Sequence, residues 1–521
     1  MKRRDFLRNT IPAAILPNVI NGFSVKAFGA ESPLAQLLGG TTDTDHVLVI
    51  VQLSGGNDGL NTVIPIDTYS SYFNARSNIA IPQDKILKLT DKTGLNPAMT
   101  GMKSLFDDGK LGVIQAVGYP TPNFSHFRAT DIWMSASASD EVLNSGWSGR
   151  YLNYEFPNFP IGYPNVSMTD PLGIQIGSTT TLTFQGPSVS MGMSISNPTS
   201  FYNLLNGIED PAPNTPAGKE LQYVRLVALQ TSKYTSVVKA AADKVTLQSP
   251  YPTGNSLADQ LKIVARLIKG GLKTRVYMVQ YGSFDTHSLQ TTTTDTTIGT
   301  HANLLKNVSD AIKAFQDDLK FLAIEERVVG MTFSEFGRRI KSNSSVGTDH
   351  GAAAPMFLFG KNVVAAVLGN NPTIPASVTV NDNIPMQYDF RSVYASLLEN
   401  WLCVKNADLQ QIMLKNFQSL NVVNSAGCKI INPNISGNSY LEIWGSPFTQ
   451  STKIIYKTDG GHTLLQIFDT MGRLIKIPVD AELLAGTYSY TFESGPLPAG
   501  VYYARLQNGS IQQVKAMVKV R

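Results

Sequence analysis

Four short apolar runs constrain the fold of this chain more than any other feature. They span residues 47–53, 111–118, 275–280 and 328–333 and are rich in valine. Runs of this length and composition are typical of strands that are buried on both faces of a parallel sheet. Helical patterns lie between them, the clearest being an amphipathic stripe over residues 305–322. Strand and helix in alternation predict an α/β domain with a mostly parallel sheet and helices on both faces.

Acidic residues and histidines follow the ends of these predicted strands. In open α/β sheets, ligands bind beyond the carboxyl ends of the strands. Carboxylate and imidazole groups suit zinc, manganese or iron, and two such metals can stabilise an in-line displacement. Three of the six histidines of the chain lie in these segments. The residues concerned are Asp58, Ser125, His126, Asp285, His287, Glu335, Asp349 and His350.

Each of these residues also has a structural interpretation. Asp58 follows a glycine pair and could be a turn residue that caps the next segment. Ser125 could be a nucleophile at a helix start, where amide groups favour an anion, or a plain N-cap. Arg128 and Arg338 could hold an anionic substrate or form salt bridges. Glu335 is more informative, because a carboxylate just after an apolar strand is costly to bury unless it is paired or binds a metal.

Six motifs occur in an order that resembles one bacterial protein family. The family is domain-of-unknown-function family 1501, and the resemblance covers roughly residues 44–415. The family is similar to the alkaline phosphatase and sulfatase superfamily. The resemblance therefore implies an alkaline-phosphatase-like α/β domain with one or two divalent metals (Zn, Mn, Ca or Fe) at the carboxyl edge of its sheet. The motifs are residues 54–62, 125–133, 146–152, 284–287, 332–338 and 347–351.

The resemblance also implies roles for individual residues and a function. The chain departs from the superfamily because Glu335 is followed by Phe336 rather than by histidine, so that Asp349 or His126 could supply a missing ligand. We expect a metal-dependent hydrolase of phosphate or sulfate esters. The alternative is a catalytically inactive, hydrolase-like surface protein that binds glycans or an assembly partner. The implied metal ligands are Asp58, Asp285, His287, Glu335 and His350, with Ser125 as nucleophile and Arg128 or Arg338 holding the anion.

The N-terminus is predicted to be a targeting segment. Residues 3–8 contain paired arginines followed by Phe-Leu and a basic residue, which resembles a twin-arginine export signal. The alternative is a basic N-terminal arm. We expect residues 1–30 to be a signal peptide read by the twin-arginine or the general export machinery. No other stretch has the length and hydropathy of a membrane span, so an integral membrane protein is not expected.

The last part of the chain changes in character. Residues 416–440 form a predicted linker, and after them come short alternating runs with glycine turns that predict an antiparallel β-sandwich. Residues 441–521 resemble a type A sorting domain of the type IX secretion system, with Leu497-Pro498-Ala499-Gly500-Val501-Tyr502 as its most specific segment. An ordinary β-sandwich binding module is the alternative. The resemblance implies a secreted or outer-surface protein that the type IX translocon recognises.

Charge and cysteine content narrow the remaining possibilities. A net charge of +4 on 521 residues argues against a nucleic-acid binder. Cys403 and Cys428 are the two cysteines, and they could form a disulfide in an exported protein or remain free thiols.

Overall fold

The computed structural model describes most of the chain. The described residues are 44–157, 159–160, 163–165, 168–196, 234–424, 428, 440–470, 473–508 and 511–520, with the backbone of 18–20 and 23–25. Apart from the antiparallel pair β1 (Asn18–Ile20) and β2 (Phe23–Val25), the predicted signal segment lies outside these residues. The contacts divide the chain into Thr44–Lys429 and a second unit of Met1–Asp43 with Ile430–Arg521.

A nine-stranded sheet forms the centre of the larger unit. Its order is β15-β7-β14-β11-β3-β10-β8-β9, with β16 beside β7. Only β14 runs opposite to the other strands. The carboxyl ends of β3, β7, β10 and β11 therefore lie along one edge of the sheet. The strands are β3 (Val47–Leu53), β7 (Leu111–Gly118), β8 (Gly173–Ile176), β9 (Gly192–Ile195), β10 (Val276–Tyr281), β11 (Val328–Phe333), β14 (Ala354–Phe359), β15 (Val367–Leu368) and β16 (Tyr388–Asp389).

Helices cover both faces of this sheet. A further helical segment spans residues 234–243. The side chain of Asn255 caps one helix by accepting hydrogen bonds from the amides of Leu257 and Ala258. The labelled helices are α1 (Gly59–Thr62), α2 (Tyr69–Arg76), α3 (Thr100–Asp107), α4 (His126–Ser135), α5 (Trp147–Glu155), α6 (Ser256–Lys269), α7 (Thr300–Phe321), α8 (Phe390–Asn400) and α9 (Leu409–Met413).

The alternation of side chains along β3 explains the two layers of helices. Val47, Val49 and Val51 pack in one apolar core with α3, α6 and α7. Leu48 and Ile50 point to the opposite face and pack with α4, α5 and α8. All five side chains are at most 1% exposed, and burying each contributes about 1.5–3 kcal/mol. A strand covered on both faces has no polar position, which is why its sequence reads as a continuous apolar run.

Shorter elements connect the main layers. They form one three-stranded sheet, one two-stranded sheet and several single turns of 3₁₀ helix. The first sheet contains β4 (Val63–Pro65), β5 (Leu87–Lys88) and β6 (Thr93–Leu95), and the second pairs β12 (Arg338–Ser342) with β13 (Thr348–His350). The 3₁₀ turns are Gln83–Lys85, Leu182–Phe184, Glu325–Arg327 and Asn406–Asp408.

The C-terminal unit contains two antiparallel sheets around a core of its own. The first has the order β17-β18-β21 and the second β20-β19-β22-β23. Buried side chains of both sheets, such as Ile454 and Leu506, form one cluster. The strands are β17 (Tyr440–Trp444), β18 (Ser451–Thr458), β19 (Gly461–Asp469), β20 (Leu474–Leu483), β21 (Gly486–Glu493), β22 (Gly500–Asn508) and β23 (Ile511–Lys519).

The expected mixed α/β architecture is confirmed, with one refinement. Residues 155–215 are rich in Pro, Gly, Ser, Thr and Asn, a composition that predicts loops and short strands lying over the core. Instead, β8 and β9 extend the main sheet as parallel strands. Each has only four residues, too few to show a pattern in the sequence. The sequence also did not predict β20, because its apolar side chains are exposed or half-buried and lack the alternation of a covered strand.

Two further expectations concern the cysteines and the membrane. Cys403 and Cys428 form a disulfide across 25 residues, which decides between the paired and free forms. Within the described part of the chain, no helix combines the length and hydropathy needed to cross a bilayer.

Candidate metal centre

Three histidines from separate segments meet around the carboxylate of Asp285. His126 begins α4, His287 lies in the loop after β10, and His350 ends β13. The Nε2 atoms of His126, His287 and His350 lie 3.5, 3.2 and 3.1 Å from carboxylate oxygens of Asp285. The Nε2 atoms of His287 and His350 are 2.9 Å apart. Asp285 is 46% exposed, so the cluster opens to solvent.

Each imidazole is held on its other side by an oxygen. Carboxylate and carbonyl oxygens accept hydrogen bonds, so these contacts place a proton on each Nδ1. In a neutral imidazole, the lone pair then resides on Nε2, which faces the centre. Metal-binding histidines usually have such an outer partner. The contacts are His126 Nδ1 to Glu335 Oε1 at 2.8 Å, His287 Nδ1 to Asp349 Oδ1 at 3.1 Å, and His350 Nδ1 to the Phe124 carbonyl at 2.9 Å.

The ionisation of the cluster favours a bound cation. Burial raises the pKa of Asp285, but the hydrogen bond and the charge of Arg338 outweigh it and lower the pKa to about 2. Burial lowers the pKa of His350 below its usual value, which keeps this imidazole neutral at pH 7. Nitrogen lone pairs 2.9 Å apart repel unless a proton or a metal lies between them.

The residues present fit one divalent metal. The possible ligand atoms of His126, Asp285 and His350 all lie within 4.8 Å of one another, and His287 adjoins this group. Three imidazole nitrogens and a carboxylate oxygen are ligands of a kind that four-coordinate zinc accepts. Asp285, His287 and His350 were predicted as ligands from the sequence, and the structure brings them together. His126 was only a substitute in that prediction.

Arg338 holds together the loops that carry these residues. Its side chain is fully buried at the start of β12. The guanidinium donates to the Asp285 carboxylate at 2.7 Å, and its other contacts are carbonyl oxygens. These contacts join the loops after β3 and β10 to β13. The carbonyls belong to Gly55, Gly56, Phe284 and Thr348. The structure therefore places Arg338 behind the centre, with its donors engaged by the protein.

The glycine pair allows these loops to approach closely. Gly55 has φ +122°, and a Cβ there would lie 2.4 Å from the amide nitrogen of Asp285. Gly56 has φ +78°, and a Cβ there would lie 2.3 Å from the ring of Phe336. The Gly55 amide also donates to Glu335 Oε1 at 2.8 Å. A side chain at either position would separate the loops, so glycine is required on two counts.

Asp58 lies outside this cluster in a buried ion pair. Nη1 of Arg76 contacts its two oxygens at 2.9 and 2.8 Å, and Gln290 Nε2 donates to Oδ2 at 2.6 Å. Both charged side chains are fully buried. Burial raises the pKa of Asp58, but the charge of Arg76 outweighs it and leaves the pKa below its usual value. Glu335 was also predicted as a ligand, but its carboxylate contacts Nδ1 of His126. The other ring nitrogen of His126, Nε2, is the one that faces Asp285.

The remaining predicted residues lie at the start of α4. Ser125 is exposed, and its hydroxyl does not cap the helix, contrary to the simplest structural interpretation. The guanidinium of Arg128 contacts the backbone carbonyls of residues 138, 139 and 141, so it braces the segment after α4. A cavity of about 450 Å³ beside His126 is lined by Ser54, Gly55, Phe127, Thr130, Asp131 and Glu335. Phe127 is 87% exposed.

Two residues were considered in the sequence only as substitutes for a missing ligand, and the structure places them differently. His126 directly follows Ser125 and is one of the three imidazoles, whereas Asp349 directly precedes His350 and is an outer partner of His287. The carbonyl of Phe124 carries no signal, because any residue has a carbonyl.

Comparisons with known proteins add a family over part of the chain. A family model described as "Protein of unknown function (DUF1501)" matches residues 217–397. The resemblance to domain-of-unknown-function family 1501 is thereby confirmed for this segment. None of the curated proteins compared with the chain matches it.

The solved structures that match the chain are distant from it in sequence. A Bacteroides thetaiotaomicron structure, described under the metabolism of multiple glycosaminoglycans, is 10% identical with a TM-score of 0.33, and the match covers 86% of this chain and 90% of that one. The PsFucS1 sulfatase from Pseudoalteromonas sp. is 11% identical with a TM-score of 0.31, and the match covers 89% of this chain and 87% of that one. A protein in the alkaline phosphatase superfamily from Vibrio parahaemolyticus is 9% identical with a TM-score of 0.29, and the match covers 92% of this chain and 83% of that one.

Breaking the buried Asp58–Arg76 ion pair is expected to destabilise the protein strongly. Asp58→Asn leaves the Arg76 charge buried without its anion, which we expect to lower the free energy of unfolding by about 3–5 kcal/mol. Urea denaturation measures this value. Asp107→Asn is the matched control, because Asp107 pairs with Lys103 on the surface, where loss of the pair costs less than about 1 kcal/mol. A similarly small change for Asp58→Asn would contradict the structural role.

The buried imidazole of His301 is expected to make the folded protein less stable in mild acid. Burial lowers its folded-state pKa from 6.5 to about 4. Because the unfolded chain binds the proton more readily, stability is retained above about pH 6.5 and falls as the pH drops toward 4. The contribution is about 3 kcal/mol. His301→Gln keeps a donor for Asn57 without this titration, so its unfolding free energy should fall less between pH 7 and pH 4.5. Equal losses in both proteins would refute the assignment.

Proposed function

We propose that this protein is a metal-dependent hydrolase of phosphate or sulfate esters. One observation carries the proposal: His126, His287 and His350 each have Nδ1 fixed by an oxygen and turn Nε2 toward the carboxylate of Asp285. Such an arrangement orients imidazoles for metal binding before the metal arrives. A divalent metal held by these four residues would stabilise negative charge on an oxygen of the ester.

Residues at the start of α4 are proposed to take part in ester cleavage. Ser125 is proposed as the nucleophile, because its hydroxyl is exposed and adjoins His126 in the chain. The free amides of the first helical turn favour an anionic group beside this hydroxyl. Glu335 keeps His126 in one orientation by accepting a hydrogen bond from its Nδ1. The cavity beside His126, with the exposed ring of Phe127 at its rim, has room for the rest of the substrate.

A specific observation also favours the second candidate, a hydrolase-like surface protein that binds glycans or an assembly partner. The guanidinium groups of Arg128 and Arg338 were expected to hold the anion, yet they contact backbone carbonyls and Asp285. Without them, the affinity for a phosphate or sulfate group depends on the metal centre and the helix amides alone. The exposed Phe127 suits binding of a ring as well as it suits catalysis.

The hydrolase proposal is tested by metal analysis and turnover of aryl phosphates and aryl sulfates. We expect bound metal in the purified protein and hydrolysis of at least one ester class. Ser125→Ala should lower kcat by about 10³-fold or more, with metal content unchanged, while His350→Ala should lose both. Ser70→Ala, on the surface of α2, serves as the control. Metal without hydrolysis would support the binding protein, and absence of both metal and hydrolysis would refute the centre itself.

We also propose export and display at the outer surface. The support is the resemblance of residues 1–30 to a twin-arginine signal and of residues 441–521 to a sorting domain, whose most specific segment, 497–502, leads into β22. The partners would be the export machinery and the type IX translocon.

The sorting role is tested in a bacterium with a type IX system. A chain lacking residues 441–521 should accumulate in the periplasm, while the full chain reaches the surface or the medium. Immunoblots of cell fractions measure this distribution. Residues 441–521 fused to a foreign periplasmic protein provide the matched gain of function. Equal surface amounts with and without the segment would rule the role out.

A further inference from the structure

We propose that the centre holds a single transition-metal ion of the zinc type, and that Arg76 supplies the positive charge that a second metal would otherwise provide at Asp58. The inference rests on the proposed function, because it specifies the number and class of metal at the same centre. It follows from which oxygen and nitrogen atoms are already engaged by the protein.

Asp58 has no place for a second cation. Its two oxygens receive contacts from Arg76 Nη1 at 2.9 and 2.8 Å, and Oδ2 also accepts from Gln290 Nε2 at 2.6 Å. The Asp58 and Arg76 side chains are completely buried. A divalent ion bound to Asp58 would lie beside the guanidinium charge in a medium of low dielectric constant, where repulsion is strong. The pair is already neutral, so the carboxylate does not need another cation.

The two other carboxylates near the centre serve the imidazoles. Glu335 Oε1 accepts from His126 Nδ1 and from the Gly55 amide, both at 2.8 Å. Asp349 Oδ1 contacts His287 Nδ1 at 3.1 Å and accepts from Asn343 at 3.2 Å. Both acids therefore stand behind a ligand rather than beside the metal.

Asp285 both accepts a hydrogen bond from a buried side chain of the protein and lies next to the imidazole Nε2 atoms. Its Oδ1 accepts from Arg338 at 2.7 Å, which fixes the carboxylate while leaving it next to the three Nε2 atoms. The donors that remain are three imidazole nitrogens and one carboxylate, enough for one four-coordinate ion. Among the residues that the structure describes, the other group with metal-ligand spacing is His46, Cys403 and Cys428. Its two sulfur atoms are bonded to each other.

The donor types select the class of metal. Imidazole nitrogen suits zinc, iron, copper and nickel. Calcium takes six to eight oxygen ligands and magnesium prefers an octahedral oxygen shell that includes water. A centre with three nitrogens and one carboxylate therefore favours a transition metal and disfavours calcium and magnesium.

Metal titration of the full chain tests both parts of the inference. The protein is stripped with EDTA, dialysed, and titrated with ZnCl₂ or CaCl₂ by calorimetry, with elemental analysis of the loaded protein. We expect one zinc per chain and no saturable calcium binding at millimolar concentration. His350→Ala should weaken zinc binding at least 100-fold. Asp131→Asn is the matched control, because Asp131 lines the adjoining cavity without belonging to the donor set, and its zinc binding should be unchanged.

Variants around the ion pair separate this inference from the proposed function. Folded Asp58→Asn should still bind one zinc, whereas its loss would show that Asp58 is a ligand. Because Asp58→Asn can unfold the chain, Gln290→Ala is the second variant, and it should also bind one zinc. Two zinc ions per wild-type chain would overturn the single-metal inference and leave the hydrolase proposal intact. Saturable calcium binding would overturn the metal class, and absence of any metal would overturn both proposals.

Discussion

The buried guanidinium of Arg338 is the interaction on which the candidate centre depends. It contacts carbonyls from the loops after β3 and β10, a carbonyl of β13, and the carboxylate of Asp285. A buried arginine is unfavourable unless its donors are satisfied. Here the loops satisfy it, and in doing so they are fixed relative to one another. The buried charge of Arg338 thus sets the geometry of the centre from behind, without contacting solvent.

The polar residues around the centre form two zones with different tasks. In the outer zone, Arg338 and the Asp58–Arg76 pair are fully buried and hold backbone segments in place. In the inner zone, the three imidazoles and Asp285 are between 21% and 46% exposed. Charges in the outer zone are neutralised within the protein. In the inner zone, the Nε2 atoms of the three imidazoles face the carboxylate of Asp285, and partly exposed clusters of this kind are typical of functional sites.

The sequence predicted the frame of the fold well because that frame depends on local patterns. Each of the four apolar runs became a strand within about one residue, and parallel strands bring their carboxyl ends together whatever the details of packing. That rule singled out Asp285, His287 and His350, which the structure brings together. It could not separate them from Asp58, because the partner of Asp58 lies on α2, and no local pattern marks a buried ion pair. The true neighbours of Arg338 were equally hidden, since most of them are backbone carbonyls.

The antiparallel strand β14 gives the centre a particular dependence on chain assembly. His350 enters at the end of β13, just before β14 runs back across the sheet, whereas Asp285 arrives after a strand that runs the other way. The four inner residues span positions 126 to 350 and meet only through strands whose neighbours are distant in sequence. No fragment of the sheet can therefore present the complete set of lone pairs. The four groups consequently come together only in a chain whose larger unit has finished folding, and a nascent or clipped chain lacks the complete cluster.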